Sequence, residues 1–292
     1  MHRPRIVVVG SSNTDLVVSV DRIPSPGETV LGDNLRMIQG GKGANQAVAA
    51  ARLGGDVTFI ARVGDDAYGA AALEAYRAEG INIDHVLVTP GQPTGLALIP
   101  VERIGGQNAI VVAPGANAML NFAPIFPIRS ASVVIASLEV PLEAVGRALQ
   151  TARGYRRPTI LNPAPARPLP ERLLDLVDWI IPNETEAVLL GGAEYLARRV
   201  PGVVVTRGAA GADLHIDGTW INHPAPAVDV RDTVAAGDCF VAAFAIRIAE
   251  GASPSEAVSF AVRAASLKTT REGAQPGLPR RDEVDRFVVT ES

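Results

Sequence analysis

A regular alternation of short apolar runs and helical patterns constrains the fold of this chain more than any other feature of its sequence. The predicted strands are 133–136, 159–161, 179–181 and 203–206, and the helices between them are 142–152, 170–176 and 184–190. Strands that alternate with helices predict a largely parallel sheet with helices on both faces. We therefore predict an α/β fold, a three-layer sandwich around a mostly parallel central sheet, with ligands beyond the carboxyl ends of its strands.

Two stretches, at about 14–38 and 94–113, interrupt this alternation. The first contains a loosely alternating run, Glu28–Met37, of the kind that half-exposed strand pairs show. The second is predicted to be a strand pair around Gly105-Gly106, with Asn108–Ala113 as its second strand. Both stretches are expected to form a small β-sheet lid over the site.

The composition of the chain narrows its class. It has 292 residues, of which 47% are hydrophobic, and without a repeat or linker residues 1–292 are predicted to form a single domain with the lid. A net charge of −4 argues against nucleic acid as the main partner. The single cysteine, Cys239, excludes an intramolecular disulfide and fits a reducing compartment. No apolar run is long enough for a signal peptide or a membrane span, and a cytoplasmic location is expected.

The stretch Asp232–Asp238 precedes an apolar helical pattern that Gly251 ends. Three small residues, Ala235–Gly237, lie where the helix begins, and the free N–H groups and helix dipole there attract an anion such as phosphate. Asp238 follows directly, and its negative charge would repel a phosphate if the site only bound phosphate without catalysing a reaction. It is suited to taking a proton from a hydroxyl that attacks the phosphorus. Alternatively, Asp232 and Asp238 only cap and charge the first helical turn.

Polar residues near the N-terminus point to a polyhydroxy ligand. Asn13 and Asp15 face the same side of a predicted strand and suit adjacent sugar hydroxyls, although an ordinary polar turn is the alternative. Gly40–Gly43 lacks the serine or threonine that follows the lysine of a phosphate-binding loop. It starts a helix on which Lys42 and Asn45 could bind such a ligand. The alternative is a glycine turn with Asn45 on a solvated face.

Two further stretches are compatible with a nucleotide. Asn183 and Glu186 begin a helix, and capping explains them adequately, while Glu186 could instead hold water on a magnesium ion. Thr206–Gly211 follows a predicted strand and could pass under a nucleotide. A simple β-turn explains its glycines almost as well.

Together these stretches resemble the ribokinase-like (phosphofructokinase B-type) sugar kinases over nearly the whole chain. The motifs that carry the resemblance are those at 13–15, 40–47, 94–95, 115–117, 138–139, 162–170, 182–187, 232–238 and 273–277. The GGKGAN sequence followed later by DTVAAGD is the most specific part of this pattern.

The resemblance implies direct phosphoryl transfer from ATP to the primary hydroxyl of ribose, with Mg²⁺ as cofactor, Glu186 supporting it through water, and Asp238 as the base. The amides that hold the transferring phosphoryl are those of Ala235, Ala236 and Gly237. The sugar site that it implies comprises Asn13, Thr14, Asp15, Gly41, Lys42, Gly43, Ala44, Asn45, Glu139 and Asp238. The ATP site that it implies comprises Asn183, Thr206, Arg207, Gly208, Ala209, Ala210, Gly211, Gly237, Asp238 and Val262.

The resemblance also implies a monovalent cation, K⁺, beside the anion site. Its matching positions are Asp232, Val234, Lys268, Arg271, Gly273 and Gly277. Two of them depart from the family pattern, because Lys268 replaces a small residue and Gly277 replaces a common serine. All but two of the 27 basic residues are arginine, and the exceptions are Lys42 and Lys268. An ammonium is a compact point charge, unlike the planar fork of a guanidinium. The Lys268 ammonium is therefore a candidate substitute for the ion.

Several alternatives stay open on the sequence. The substrate could be fructose, another ketose or a nucleoside, and Val262 stands where an amide or histidine often meets the adenine. A non-catalytic sugar-binding regulator is a remote alternative, since it would not need Asp238. A nicotinamide dehydrogenase is disfavoured because the glycine fingerprint is missing. The lid strands would leave unpaired edges, and a homodimer joined through the lids is expected.

Overall fold

The computed structural model describes residues 3–104, 107–121 and 124–287. The strands are β1 (Arg5–Val9), β2 (Asn13–Val20), β3 (Arg36–Gly40), β4 (Asp56–Gly64), β5 (Asn82–Thr89), β6 (Gly95–Glu102), β7 (Val111–Ala113), β8 (Val133–Ser137), β9 (Thr159–Asn162), β10 (Trp179–Ile180), β11 (Gly202–Thr206), β12 (Ala212–Ile216) and β13 (Thr219–His223). The helices are α1 (Lys42–Arg52), α2 (Ala67–Ala78), α3 (Ile125–Ser130), α4 (Leu142–Gly154), α5 (Glu171–Leu174), α6 (Glu184–Leu189), α7 (Ala193–Arg199), α8 (Ala236–Ala249), α9 (Pro254–Thr269), α10 (Ala274–Gly277) and α11 (Arg281–Arg286).

The central sheet has the strand order β13-β12-β11-β10-β9-β8-β1-β4-β5. All of its neighbouring pairs are parallel except β11 with β12 and β12 with β13, which are antiparallel. The predicted α/β fold with a mostly parallel sheet is confirmed. The sequence did not predict the antiparallel strands β12 and β13. These strands at the edge of the sheet mix polar and apolar residues and lack the continuous apolar run that marks a buried strand.

Both faces of the central sheet are covered by apolar layers. In β1, Ile6 and Val8 pack into a core with α1, α8 and α9, while Val7 and Val9 pack into a second core with α4 on the other face. Successive strand residues point to opposite faces, so a four-residue apolar run serves both cores. Burying each such side chain contributes about 1.5–3 kcal/mol. This burial accounts for the three-layer arrangement.

The lid is a separate four-stranded sheet with the order β3-β2-β6-β7. The prediction of a strand pair within Glu28–Met37 was wrong, since only Arg36–Gly40 forms a strand and one isolated bridge joins Gly32 to Val20. A proline lacks the N–H that a strand ladder needs, and Pro24 and Pro26 lead into a turn instead. The chain between β2 and β3 is therefore mainly loop.

The second half of the lid was predicted more closely than the first. The strand predicted at Asn108–Ala113 is shorter, since β7 begins at Val111 and Asn108 meets Val101 only through an isolated bridge. The predicted turn at Gly105-Gly106 lies outside the described residues.

The helix predicted at 170–176 is reduced to Glu171–Leu174. None of the helices in the three described ranges is long and apolar enough to cross a membrane.

Candidate active site

The carboxyl ends of the parallel strands converge on a cavity of about 210 Å³ at the start of α8. Its lining residues lie at or just after the ends of β9, β10 and β11, at the starts of α1 and α6, and before and within the first turns of α8, as the fold predicts for a ligand site. They are Lys42, Asn162, Ala164, Ile181, Asn183, Glu186, Thr206, Thr233, Ala235, Gly237, Asp238 and Val241. Residues predicted separately for sugar, phosphate and ATP thus share one space.

The backbone turns sharply where α8 begins. Ala235 adopts a left-handed conformation, φ 60°, and no side chain caps the helix that starts at Ala236. The amide of Ala236 donates to the Thr233 carbonyl at 3.1 Å, and no acceptor for the next two amides exists in the described part of the chain. A Cβ at Gly237 would meet open space, so an anion can approach these amides closely. Neither Asp232 nor Asp238 caps α8 through its side chain, and Asp238 lies in the first turn, where its charge faces the start of the helix.

The Asp238 carboxylate is buried and held by two amide side chains of α1. Asn45 Nδ2 donates to one carboxylate oxygen at 2.9 Å, and Gln46 Nε2 donates to the other at 3.0 Å. Gln46 Nε2 also donates to Asn162 Oδ1 at 3.1 Å, and Gln275 Nε2 contacts Asn45 Oδ1 at 3.4 Å. The carboxylate therefore has a fixed orientation, with lone pairs left for a ligand.

Sequence reasoning missed Gln46, Asn162 and Gln275 as members of this network. The available signal was that Gln46 adjoins Asn45 in a helix otherwise rich in alanine. Neither its position nor its type indicated that it reaches Asp238, which lies 192 residues away.

Burial raises the pKa of Asp238 above its ordinary value, and the nearby Glu139 charge adds to this effect. Lys42 and the amides of Asn45 and Gln46 act in the opposite direction. For Lys42 itself, burial lowers the pKa, but Asp238, Glu139 and Glu186 outweigh it and leave the pKa raised. A carboxylate of raised pKa beside a charged lysine is a better proton acceptor than an exposed aspartate.

The predicted sugar side of the site is built from β2 and from Glu139, two residues after the end of β8. Glu139 Oε2 accepts from the Ser11 hydroxyl at 2.5 Å and from the Lys42 amide at 3.0 Å. Asn13 Oδ1 accepts from Asn117 Nδ2 at 2.8 Å, so Asn117, which was not predicted as a site residue, orients the Asn13 amide.

Asp15 is buried without a hydrogen-bond donor among the described residues. Burial and the charges of Glu139 and Asp238 raise its pKa to about 7. A Cβ at Gly40, on the neighbouring strand β3, would lie 2.1 Å from an Asp15 oxygen, so the glycine leaves room for this carboxylate. A buried carboxylate that lacks donors is prepared for ligand hydroxyls.

We expect Asp15→Asn to stabilise the ligand-free protein at pH 8. The folded-state pKa of about 7 exceeds the ordinary 3.8, so the folded state loses stability as the pH rises from about 4 to 7 and Asp15 ionises. Asparagine removes that loss, and we expect the Tm at pH 8 to rise by about 2–6 °C. Melting curves at several pH values measure it, with exposed Asp217→Asn as the control. A gain that is equal at pH 5 and pH 8 would contradict the assignment.

Of the ten residues predicted for the sugar site, Lys42 and Asp238 line the cavity itself. Four of the others have positions that the packing of β1, β2 and α1 explains. Strand alternation places Thr14 on the face of β2 opposite Asn13. Ala44 is part of the core, and its amide donates to the Ser11 carbonyl at 2.9 Å. A Cβ at Gly43 would lie 2.6 Å from backbone atoms of Gly10, so this glycine lets α1 pack against the end of β1. Gly41, with φ 90°, forms the turn that starts α1.

The predicted ATP side lies between α6 and β11. Asn183 and Glu186 form a reciprocal capping box, with Asn183 N donating to Glu186 Oε2 at 2.9 Å. Thr206 lines the cavity, while the Arg207 side chain turns away to pair with Glu184 and Asp213. Residues 208–210 form a single 3₁₀ turn that Gly211 ends at φ 90°.

Val262, which was predicted to meet the adenine, is not among the residues that line the cavity. Its side chain is buried within the core beside α8. Its contact with a nucleotide base therefore stays a prediction.

The residues predicted for the monovalent cation lie together beside the start of α8. Asp232 accepts from the amides of Val234 and Gly273, at 2.9 and 2.8 Å. The Lys268 ammonium donates to the carbonyl oxygens of Asp232 and Arg271 at 3.0 and 3.3 Å. These residues do not fit a bound K⁺, because a side-chain cation already contacts the oxygens that would hold it.

Comparisons with known proteins agree with this arrangement. Residues 3–281 match the model of the pfkB family of carbohydrate kinases. The ribokinase of Bacillus subtilis (strain 168) is 40% identical over 291 residues, which cover 97% of this chain and 99% of that protein. The deoxyribokinase of Salmonella typhi is 30% identical over 301 residues, covering 97% and 98%. A solved structure of Arabidopsis thaliana ribokinase, complexed with ribose and ATP, has a TM-score of 0.89 at 34% identity and covers 98% of both chains.

Proposed function

The chain belongs to the pfkB family of carbohydrate kinases, and on that premise we propose that it phosphorylates the primary hydroxyl of ribose with ATP. The observation that carries the proposal is the buried Asp238 carboxylate at the open start of α8, in one cavity with Lys42 and Asn183. The likeness to ribokinases over nearly the full chain supports ribose as the substrate.

Asp238 accepts the proton of the sugar hydroxyl as the hydroxyl oxygen bonds to the terminal phosphorus of ATP. The bond between that phosphorus and the ADP oxygen breaks in the same in-line transfer, without a covalent enzyme intermediate. The amides of Ala235 and Gly237, which have no acceptor among the described residues, face the charge of the transferring group, whereas the predicted amide of Ala236 is already bonded to the Thr233 carbonyl. The Lys42 ammonium adds a positive charge to the same cavity. Asn45 and Gln46 keep the Asp238 oxygens in position.

Glu186 is the residue that suits a bound magnesium ion. It lines the cavity and uses one carboxylate oxygen in the capping box, which leaves the other for a metal-bound water. Burial raises its pKa, and Lys42 and the Asn183 amide counter that rise. Mg²⁺ bound there would supply positive charge against the negative charge that develops on the phosphates of ATP.

The substrate is tested by a panel of ribose, 2-deoxyribose, fructose and adenosine with purified protein, ATP and Mg²⁺. We expect the highest kcat/KM with ribose, measured as sugar-dependent ADP release. A higher value with 2-deoxyribose, fructose or adenosine would replace ribose as the substrate while keeping the kinase. Sugar binding without any ADP release would favour the non-catalytic regulator.

We further propose that residues 1–292 act as one domain, in the cytoplasm, with the lid closing over the sugar. Closure would exclude water, which otherwise competes with the sugar for the phosphoryl group. Asp15 lies on the lid sheet and is affected by the charge of Asp238 in the main body, so the lid carries part of the site.

The outer face of the lid supports a homodimer. Met37, Leu98 and Val111 are 64%, 51% and 63% exposed and lie in register on one face of the lid sheet, on β3, β6 and β7. We expect light scattering at micromolar concentration to give a dimer, and Leu98→Asp to give a monomer, because a charge cannot be buried between two apolar faces. Leu189→Asp, at an exposed site on α6, serves as the control. A wild-type monomer would contradict the proposed dimer.

A further inference from the structure

Lys268 is a fully buried lysine in the last turn of α9. Its Nζ donates to the carbonyl oxygen of Asp232 at 3.0 Å and to that of Arg271 at 3.3 Å. The nearer Asp232 carboxylate oxygen lies 3.8 Å away. Lysine is rarely buried unless its charge is compensated, and this ammonium has three oxygen partners.

These partners form the kind of oxygen shell that holds a monovalent cation. The Arg271 guanidinium turns away to pair with Glu283 at 2.7 Å, so that residue offers its carbonyl rather than its charge. An added cation at the same carbonyls would meet the ammonium at close range and be repelled.

The second departure from the family pattern is coupled to the first. A Cβ at Gly277 would lie 3.1 Å from Cε of Lys268 and 3.2 Å from the carbonyl oxygens of Arg271 and Glu272. These distances are tighter than ordinary van der Waals contact. Gly277 therefore provides room for the lysine stem, and a serine there would crowd it.

The shell is connected to the phosphate-binding turn. Asp232 accepts the Val234 amide at 2.9 Å through one carboxylate oxygen and the Gly273 amide at 2.8 Å through the other. Ala235, three residues after Asp232, has the left-handed conformation that precedes α8. A charge that fixes Asp232 thus fixes the direction of the amides that follow.

We propose that the Lys268 ammonium is a built-in replacement for the monovalent cation, so that this kinase works without K⁺. Lys268 is a positioning residue, because it acts through Asp232 and the turn and does not touch substrate. This inference rests on the proposed kinase function only for its activity measurements.

The first test compares wild-type protein in buffers containing KCl, NaCl or tetramethylammonium chloride, which is too large for the shell. We expect the same kcat in all three and no K⁺-specific change in Tm, since no cation binds. The Tm comparison needs no substrate, so it remains informative even if ribose is not the substrate. A saturable K⁺-specific rise in wild-type kcat or Tm would overturn the proposal.

The second test uses Lys268→Ala combined with Gly277→Ser, which removes the ammonium and adds an oxygen ligand. In tetramethylammonium we expect kcat to fall by about 10- to 100-fold, the effect of losing hydrogen bonds from a charged group. K⁺ or NH₄⁺ should restore part of the loss and raise the Tm of this variant. Arg263→Met, which removes a cation elsewhere on α9, should show neither effect.

A folded double variant that stays inactive in K⁺ would show that Lys268 is merely structural. Full activity of that variant in tetramethylammonium would show that the turn needs no cation. Either result refutes the proposal. If the variant fails to fold, the wild-type comparison still decides it.

Discussion

Replacement of Asp238 by asparagine is expected to lower kcat by about 100- to 10,000-fold, the usual contribution of a positioned general base. Asparagine keeps the size of the side chain but cannot accept the hydroxyl proton. KM for sugar and for ATP should change little, because Asp238 contributes mainly in the transition state. Steady-state kinetics on both substrates measure the effect.

Asp217→Asn is the matched control for this experiment. Asp217 lies in the turn between β12 and β13. Because β12 runs antiparallel to β11, that turn lies at the end of the sheet away from the candidate active site. Asp217 has φ 51°, a conformation that asparagine tolerates. A kcat for Asp238→Asn within a few-fold of wild type would remove Asp238 from the role of base and with it the proposed mechanism.

Asp15→Ala is expected to raise KM for the sugar by about 10- to 100-fold, the effect of losing hydrogen bonds to a charged acceptor. KM for ATP should stay near the wild-type value, since Asp15 lies on the lid rather than beside Asn183. Initial-rate measurements with each substrate varied in turn test this separation.

The pH dependence of the KM for sugar distinguishes an effect of the Asp15 charge from an effect of the shape of its side chain. With a pKa of about 7, Asp15 becomes protonated as the pH falls, and it then accepts sugar hydroxyls less well. Wild-type sugar KM should therefore rise below pH 7, and Asp15→Asn should lack that rise. Asp21→Ala, at an exposed position of the lid, should behave as wild type. Equal changes in KM for sugar and ATP would contradict the assignment.

Much of the site was predictable because its residues lie in short motifs. The small residues before Asp238 and the helix pattern after it predicted an anion site, and the structure shows the uncapped helix start. Asn13 and Asp15 were predicted together because strand periodicity puts them on one face, and both are buried near the site. Such inferences depend on local spacing alone.

The supporting residues could not be predicted in the same way. Gln46 reaches Asp238 across 192 residues, and Asn117 orients Asn13 from 104 residues away. Neither contact has a periodicity or spacing that marks it in the sequence. They arise because α1 packs against α8 and because residues 115–119 lie beside the lid.

The sequence by itself determined the type of sheet, the uncapped helix start with its small residues and the carboxylate that follows it, because apolar periodicity and capping act over a few residues. The tertiary structure decided which side chains orient that carboxylate and where the Lys268 ammonium lies. Lys268 and Asp232 lie 36 residues apart, and only packing brings the ammonium to the carbonyls of the turn. Gly277 makes room for it, and that steric relation exists only once α9 and α10 are in place.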